Sequence, residues 1–188
     1  MIGGVFGARM AFHGLVVDHF VPSTGQERPT ISDAMDIRVR TASVEDVEHI
    51  LHHRRAMFEE IGYADHAVLE DVEDLSRAYF EKALRLGRYK AWLAEDLNGQ
   101  VVGGGGIVVA DWPGYPGEHR AERAWILNMY TEPGARRCGV AKRLVEAMIE
   151  WCRTSGFGIV SLHASPAGRP LYEAIGFQPT NEMTLKLR

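Results

Sequence analysis

The stretch Arg136-Arg137-Cys138-Gly139-Val140-Ala141 decides how this chain is read, because it joins a short strand-like run, residues 124–131, to an amphipathic helix. The helix follows from period. Val140, Leu144, Ala147, Met148 and Trp151 recur at helical spacing, while Lys142, Glu146, Glu150 and Arg153 take the opposite face. Pro133 and Gly134 end the strand, and Ser155-Gly156 marks the helix stop. A junction of this kind binds phosphate: the first helical turn leaves main-chain N–H groups without partners, the helix dipole adds partial positive charge, and Gly139 lets a ligand approach the backbone closely. Arg136, Arg137, Lys142 and Arg143 add full charges around it.

Nucleotide-binding signatures of other kinds are missing. The junction lacks the Lys-Ser/Thr ending of a P-loop, and no Gly-x-x-x-x-Gly-Lys occurs in the chain. The glycines at residues 103–106 lie inside a strand-like segment with no helix after it, so they read as a bulge or a close backbone approach rather than a dinucleotide fingerprint. Neither a Gly-x-Ser-x-Gly elbow nor a Cys-x-x-Cys is present, which leaves serine-hydrolase and thiol-redox chemistry without a motif.

Two blocks in order carry a family resemblance. Arg136, Gly139 and Ala141 match the pattern Arg/Gln-x-x-Gly-x-Gly/Ala at a helix start, and Leu171-Tyr172-Glu173-Ala174-Ile175-Gly176-Phe177 downstream matches Leu-Tyr-x-x-x-Gly-Phe. In these the chain resembles the GNAT acetyltransferase superfamily, over residues 36–188. The resemblance implies an α/β fold of the α+β kind: a mixed, mostly antiparallel sheet of six to seven strands, flanked by about four helices and splayed at the fourth and fifth strands. Local patterns fit that order. Ile37-Arg38-Val39-Arg40 alternates as a first strand, and Ser43 with Asp46 makes a capping box before a helix carrying Val47, Ile50, Leu51 and Phe58. A second helix fits residues 71–86, and residues 89–96 and 100–110 read as a hairpin joined at Asn98-Gly99. Strand 124–131, the helix at Val140, strand 159–163, a helix over Leu171 and a last strand complete the chain.

The same resemblance implies acetyl-CoA as co-substrate and assigns roles. Arg136, Arg137, Cys138, Gly139, Val140 and Ala141 would hold its diphosphate, and the main chain of Met129, Tyr130 and Thr131 would pair with the pantetheine arm and polarise the thioester carbonyl. Tyr172 would give a proton to the departing thiolate, as a phenol with a pKa of about 10 can. Ser165 stands where many members carry Asn, so a shorter hydroxyl replaces an amide there. For the base that deprotonates the amine, Glu60, with Glu59 beside it, is the first candidate; Asn128 holding a water, Asp111, Glu118 and His119 are alternatives.

Composition sets the remaining bounds. At 188 residues the chain suits one well-buried domain, and a net charge of −4 argues against nucleic acid as a partner. Residues 1–35 read as a leader, poorly ordered or extraneous, ahead of an acetyltransferase domain at 36–188. The apolar residues near the start are too interrupted for a membrane span or signal peptide, so no membrane and a cytoplasmic location are expected. Cys138 and Cys152, on one helix and about 21 Å apart, are too distant for a disulfide. His49, His52 and His53 read as a solvated helix face rather than a metal site, and no metal is expected. Glu59, Glu60, Asp65, Asp111 and Glu118 near the expected acceptor mouth suggest a cationic small-molecule amine. The expected reaction is therefore acetyl transfer from acetyl-CoA to a primary amine, by direct attack in a ternary complex. Acetylation of a protein N-terminus or lysine, and a non-catalytic CoA-responsive module, stay open; a homodimer fits the resemblance.

Overall fold

The computed structural model describes residues 35–188 except 115, 117, 119, 186 and 188; the expectations for the leader up to residue 34 and for His119 lie outside the described residues. Five strands form one sheet in sequence order: β1 (Arg38–Thr41), β2 (Tyr89–Glu95), β3 (Val101–Asp111), β4 (Glu122–Thr131) and β5 (Val160–Leu162). β1 to β4 are antiparallel neighbours, and β5 runs parallel to β4. Four α-helices accompany them: α1 (Val47–Glu60), α2 (His66–Arg85), α3 (Val140–Thr154) and α4 (Arg169–Ile175).

Both faces of the sheet are covered, which is why its strands are apolar at odd and even positions alike. On one face Val140, Leu144, Met148 and Cys152 of α3 pack on Trp92, Ala94, Ile107, Val109, Ala124 and Ile126. On the other, Val47, Ile50 and Leu51 of α1 with Phe80 and Ala83 of α2 pack on Tyr89 and Ala91. Each side chain as fully buried as Leu144 or Met148 stabilises the fold by about 1.5–3 kcal/mol.

A bulge in β4 breaks the alternation where the site lies. Gly104 pairs with Tyr130 and Gly106 with Leu127, so Asn128 and Met129 together stand opposite Gly105. Asn128 takes a left-handed φ of 57°, and the faces then exchange parity: Ala124 and Ile126 face α3, but so does Met129. The glycines of β3 make this possible. A Cβ at Gly105 would lie 2.4 Å from Met129 Sδ, one at Gly106 2.3 Å from Tyr89 Oη, and one at Gly104 2.8 Å from His53 Nδ1. Side chains of β2, β4 and α1 lying directly against the β3 backbone are thus the reason for these glycines.

Local departures have identifiable causes. Five strands are found among the described residues where six to seven were expected. Met183, Leu185 and Leu187 do alternate, but all three are exposed and the described residues of their segment carry no strand pairing. Alternation supplies a face; a strand also needs an edge to pair with, and β5 offers only three paired residues. The second helix starts at His66, five residues ahead of the predicted 71, because the Asp65 carboxylate accepts the N–H groups of Ala67 and Val68 at 3.0 and 3.3 Å. At the opening of α1 the Ser43 N–H donates to the Asp46 carboxylate at 2.9 Å, after one 3₁₀ turn, Val44–Asp46. The hairpin turn is wider than Asn98-Gly99 alone: Asp96 accepts from the N–H of Asn98 and of Gln100, and only Gly99 has a positive φ.

Candidate active site

The junction ahead of α3 is built as an open anion cradle. A 3₁₀ turn, Pro133–Ala135, leads into extended Arg136; Arg137 and Gly139 are both left-handed, at φ 64° and 84°. Left-handed residues flanking Cys138 turn successive N–H groups toward one side, the geometry of an anion-binding nest. The N–H groups of residues 137–142 donate to no acceptor among the described residues, and the first helical bond runs from Arg143 N–H to the Gly139 carbonyl at 3.1 Å. Val140 is buried under the turn and anchors it to the core. Cys138 is half-buried, and its thiol donates to the Arg136 carbonyl at 3.4 Å. Both cysteines are free, and burial pushes the Cys152 thiol up to about 11.

Beside the cradle, β4 has an open edge. Its pairing with β5 spans Ala124 to Ile126 only, while β4 continues to Thr131 against β3. Met129, Tyr130 and Thr131 therefore have main-chain groups on the far edge without a strand partner among the described residues, as a splay between the fourth and fifth strands requires.

Tyr130 and Glu60 meet across this region. The Tyr130 hydroxyl donates to Glu60 Oε1 at 3.3 Å, and Arg136 forms an ion pair with the same carboxylate while its Nε donates to the Thr131 carbonyl at 3.0 Å. The predicted base and the first predicted phosphate ligand are thus partners in this state. Burial, followed by the Glu60 charge, pushes the Tyr130 phenol above its ordinary pKa.

Tyr172 lies on α4, 8 % exposed, with its ring 5.8 Å from that of Phe177. Burial raises its pKa, and its hydroxyl bonds to no described group. Ser165 is engaged locally: its hydroxyl accepts the Gly168 N–H at 3.1 Å and its carbonyl the Arg169 N–H at 2.9 Å, in the turn that starts α4. Tyr172, without the cradle residues, lines a cleft of about 620 Å³ between β5, α4 and the segment after it, with Trp125, His163 and Phe177.

Two expectations change. His53 is not on a solvated face: it is 2 % exposed, against Gly104 and 5.4 Å from the Tyr130 ring, because α1 turns it toward the sheet along with Ile50. Only His52 of the pair reaches outward, to Glu132 at 2.9 Å. The five carboxylates at the expected acceptor mouth do not form a free negative cluster either. Glu59 pairs with Arg55, Glu60 with Arg136 and Asp111 with Arg88; Asp65 caps α2, and Glu118 accepts the N–H groups of Gly158 and Ile159. Sequence reasoning also missed the polar group under the bulge: Arg54, which donates to Asn128 Oδ1 at 2.6 Å and Ser76 Oγ at 3.0 Å, and Tyr89, whose hydroxyl accepts from Asn128. Only an Asn inside an apolar strand hinted at it.

Comparison with known proteins places the chain in a family and a fold. The sequence model of the acetyltransferase (GNAT) family matches residues 48–177. The human proteins N-acetyltransferase 8 and 8B are 26% and 27% identical over 123 residues; the chain spans about half the length of these curated relatives. Among solved structures, a GCN5-related N-acetyltransferase from Ralstonia eutropha JMP134 superimposes with a TM-score of 0.74 at 31% identity, over 81% of this chain and 99% of that one. A protein described as a "predicted acetyltransferase with acetyl-CoA" from Clostridium acetobutylicum does so with 0.72 at 27% identity, over 81% and 96%.

Proposed function

The chain belongs to the acetyltransferase (GNAT) family, and from that premise we propose that residues 36–188 move an acetyl group from acetyl-CoA to a primary amine of a small molecule by direct attack. The observation that carries this is the pairing of an open nest of N–H groups at residues 137–142 with the free edge of β4 past Ile126. An anionic diphosphate suits the first, since it satisfies donors that no described residue satisfies. An extended amide-bearing arm suits the second, as an added strand would.

In this reading acetyl-CoA supplies the activated acyl group, and the chain's residues do four things. The nest and Arg137 hold the diphosphate end. A main-chain N–H of the bulged strand near Met129 polarises the carbonyl, where charge builds up as the amine attacks. Glu60, at the end of α1, takes the proton of the attacking amine, directly or through a water. Tyr172 gives its proton to the departing sulfur, and the raised pKa of that phenol keeps it protonated at neutral pH.

The experiment is to titrate the full chain with CoA and then follow free-thiol release from acetyl-CoA across a panel of amines. Saturable CoA binding with amine-dependent thiol release is expected. Absence of CoA affinity would overturn the donor site, and CoA binding without release for any amine would overturn turnover.

A further inference from the structure

Arg54 has an unusual environment. It is half-buried between α1, α2 and β4, with its guanidinium 4.7 Å from the Phe58 ring centre and 5.9 Å from that of Phe80. Its bonds go to neutral oxygens only, Ser76 Oγ and Asn128 Oδ1. Glu73 of α2, beside Arg54, pairs with Arg55 and Arg77, and at the end of α1 Glu59 pairs with Arg55 and Glu60 with Arg136. Where carboxylates push Arg40, Arg55, Arg77 and Arg136 above the ordinary arginine pKa, burial pushes Arg54 below it.

A half-buried cation without a counter-charge is partly stripped of water, and the second Nη1 proton and both Nη2 protons of Arg54 have no acceptor among the described residues. Asn128 fixes the guanidinium while its own left-handed backbone opens the bulge, and the next residue is Met129, on the strand assigned to the acetyl donor. The gap between α1 and α2 beside Arg54, lined by Phe58, Leu69 and Val72, measures about 10 Å³, room for one water and too little for a larger ligand.

We propose that Arg54 is a specificity residue that receives a carboxylate on the acceptor, so that the substrate is an amino acid or a related amine bearing one carboxylate. The inference rests on the acetyltransferase reading for what the acceptor's amine does, but not for the binding of its acid. A planar carboxylate matches the free edge of the guanidinium fork in two parallel bonds. One negative charge balances the single charge of Arg54; a phosphomonoester would bring nearly two into a region that already holds Glu73. Glu59, Glu60 and Asp111 are each paired with an arginine, which weakens the case for a polycation.

The test uses the full chain, with and without saturating CoA, titrated calorimetrically with matched probe pairs: each of the common amino acids as free acid and as α-amide. At least one free acid should bind about ten- to a hundredfold tighter than its amide, the worth of a charge-assisted bond. Arg54→Met should bring that ratio close to one, and Arg54→Lys, which keeps the charge but loses the fork, should retain part of it. Equal binding of acids and amides by the wild-type chain, or no acid binding at all, overturns the proposal, as does a ratio that survives in folded Arg54→Met. If Arg54→Met does not fold, the wild-type ratio and Arg54→Lys decide. CoA is titrated separately, so a chain that binds CoA but ignores the carboxylate refutes this inference alone, and one that binds no CoA refutes the donor site alone.

Discussion

Acidification should weaken this protein in a defined window because of one histidine. His53 is buried against Gly104 and Tyr130, and burial, reinforced by His52 and His49, lowers its pKa from 6.5 to about 4. The facing groups are His49 and His52 on α1, Tyr130 on β4, and Glu132, which lies 3.7 Å from His53 Nε2 but is bound more closely by His52. The folded state therefore keeps His53 neutral while the unfolded chain takes up a proton below pH 6.5. Stability from this group is complete above that value and declines as pH falls toward 4. The shift corresponds to about 3 kcal/mol when fully expressed, of which about 2 kcal/mol is lost by pH 5. Urea unfolding of the wild-type chain and of His53→Gln at pH 7.5 and pH 5 isolates the effect, since the amide does not titrate. The wild-type midpoint should fall by about 1 M more than that of the variant. Parallel losses in the two proteins would refute the assignment of a neutral buried imidazole. The Asp46 carboxyl, which the Arg40 guanidinium holds down at about 2, contributes a separate loss of stability only as pH falls from 3.8 toward 2.

Three substitutions probe other parts of the molecule. Tyr172→Phe should lower the turnover number for thiol release on the order of 10²-fold with CoA affinity preserved, and unchanged turnover would leave the ring a packing role only. Gly106→Ala puts a methyl 2.3 Å from Tyr89 Oη and should cost about 1–3 kcal/mol in denaturant unfolding; a neutral result would mean that the close approach is not constrained. Asp65→Ala removes the acceptor for two N–H groups at the start of α2 and should lower stability by about 1 kcal/mol in thermal unfolding, whereas no change would mean that the helix start is held from elsewhere.

Much of this protein is legible in its residues because the signals are local. The period of Val140, Leu144 and Met148 predicts α3 and the face it buries, and Pro133, Gly139 and Gly156 mark the turns around it, since backbone freedom and hydrophobic spacing act within a few residues. The resemblance of the Arg136 and Tyr172 blocks to a known superfamily points to the family. What only the tertiary structure decided are relations between distant segments. A left-handed Asn128 opposite Gly105 exchanges the faces of β4, turning Met129 toward α3 while Tyr130 meets His53 and Glu60 on the other side; no pattern along β4 alone encodes that, because a bulge is a mismatch between two strands. The same is true of charge. Glu60, Asp111 and Glu118 looked free in the sequence and are compensated in the fold, while Arg54, one arginine among many in a helix, is half-buried without an acid, because burial and counter-charge come from whatever segments packing brings alongside.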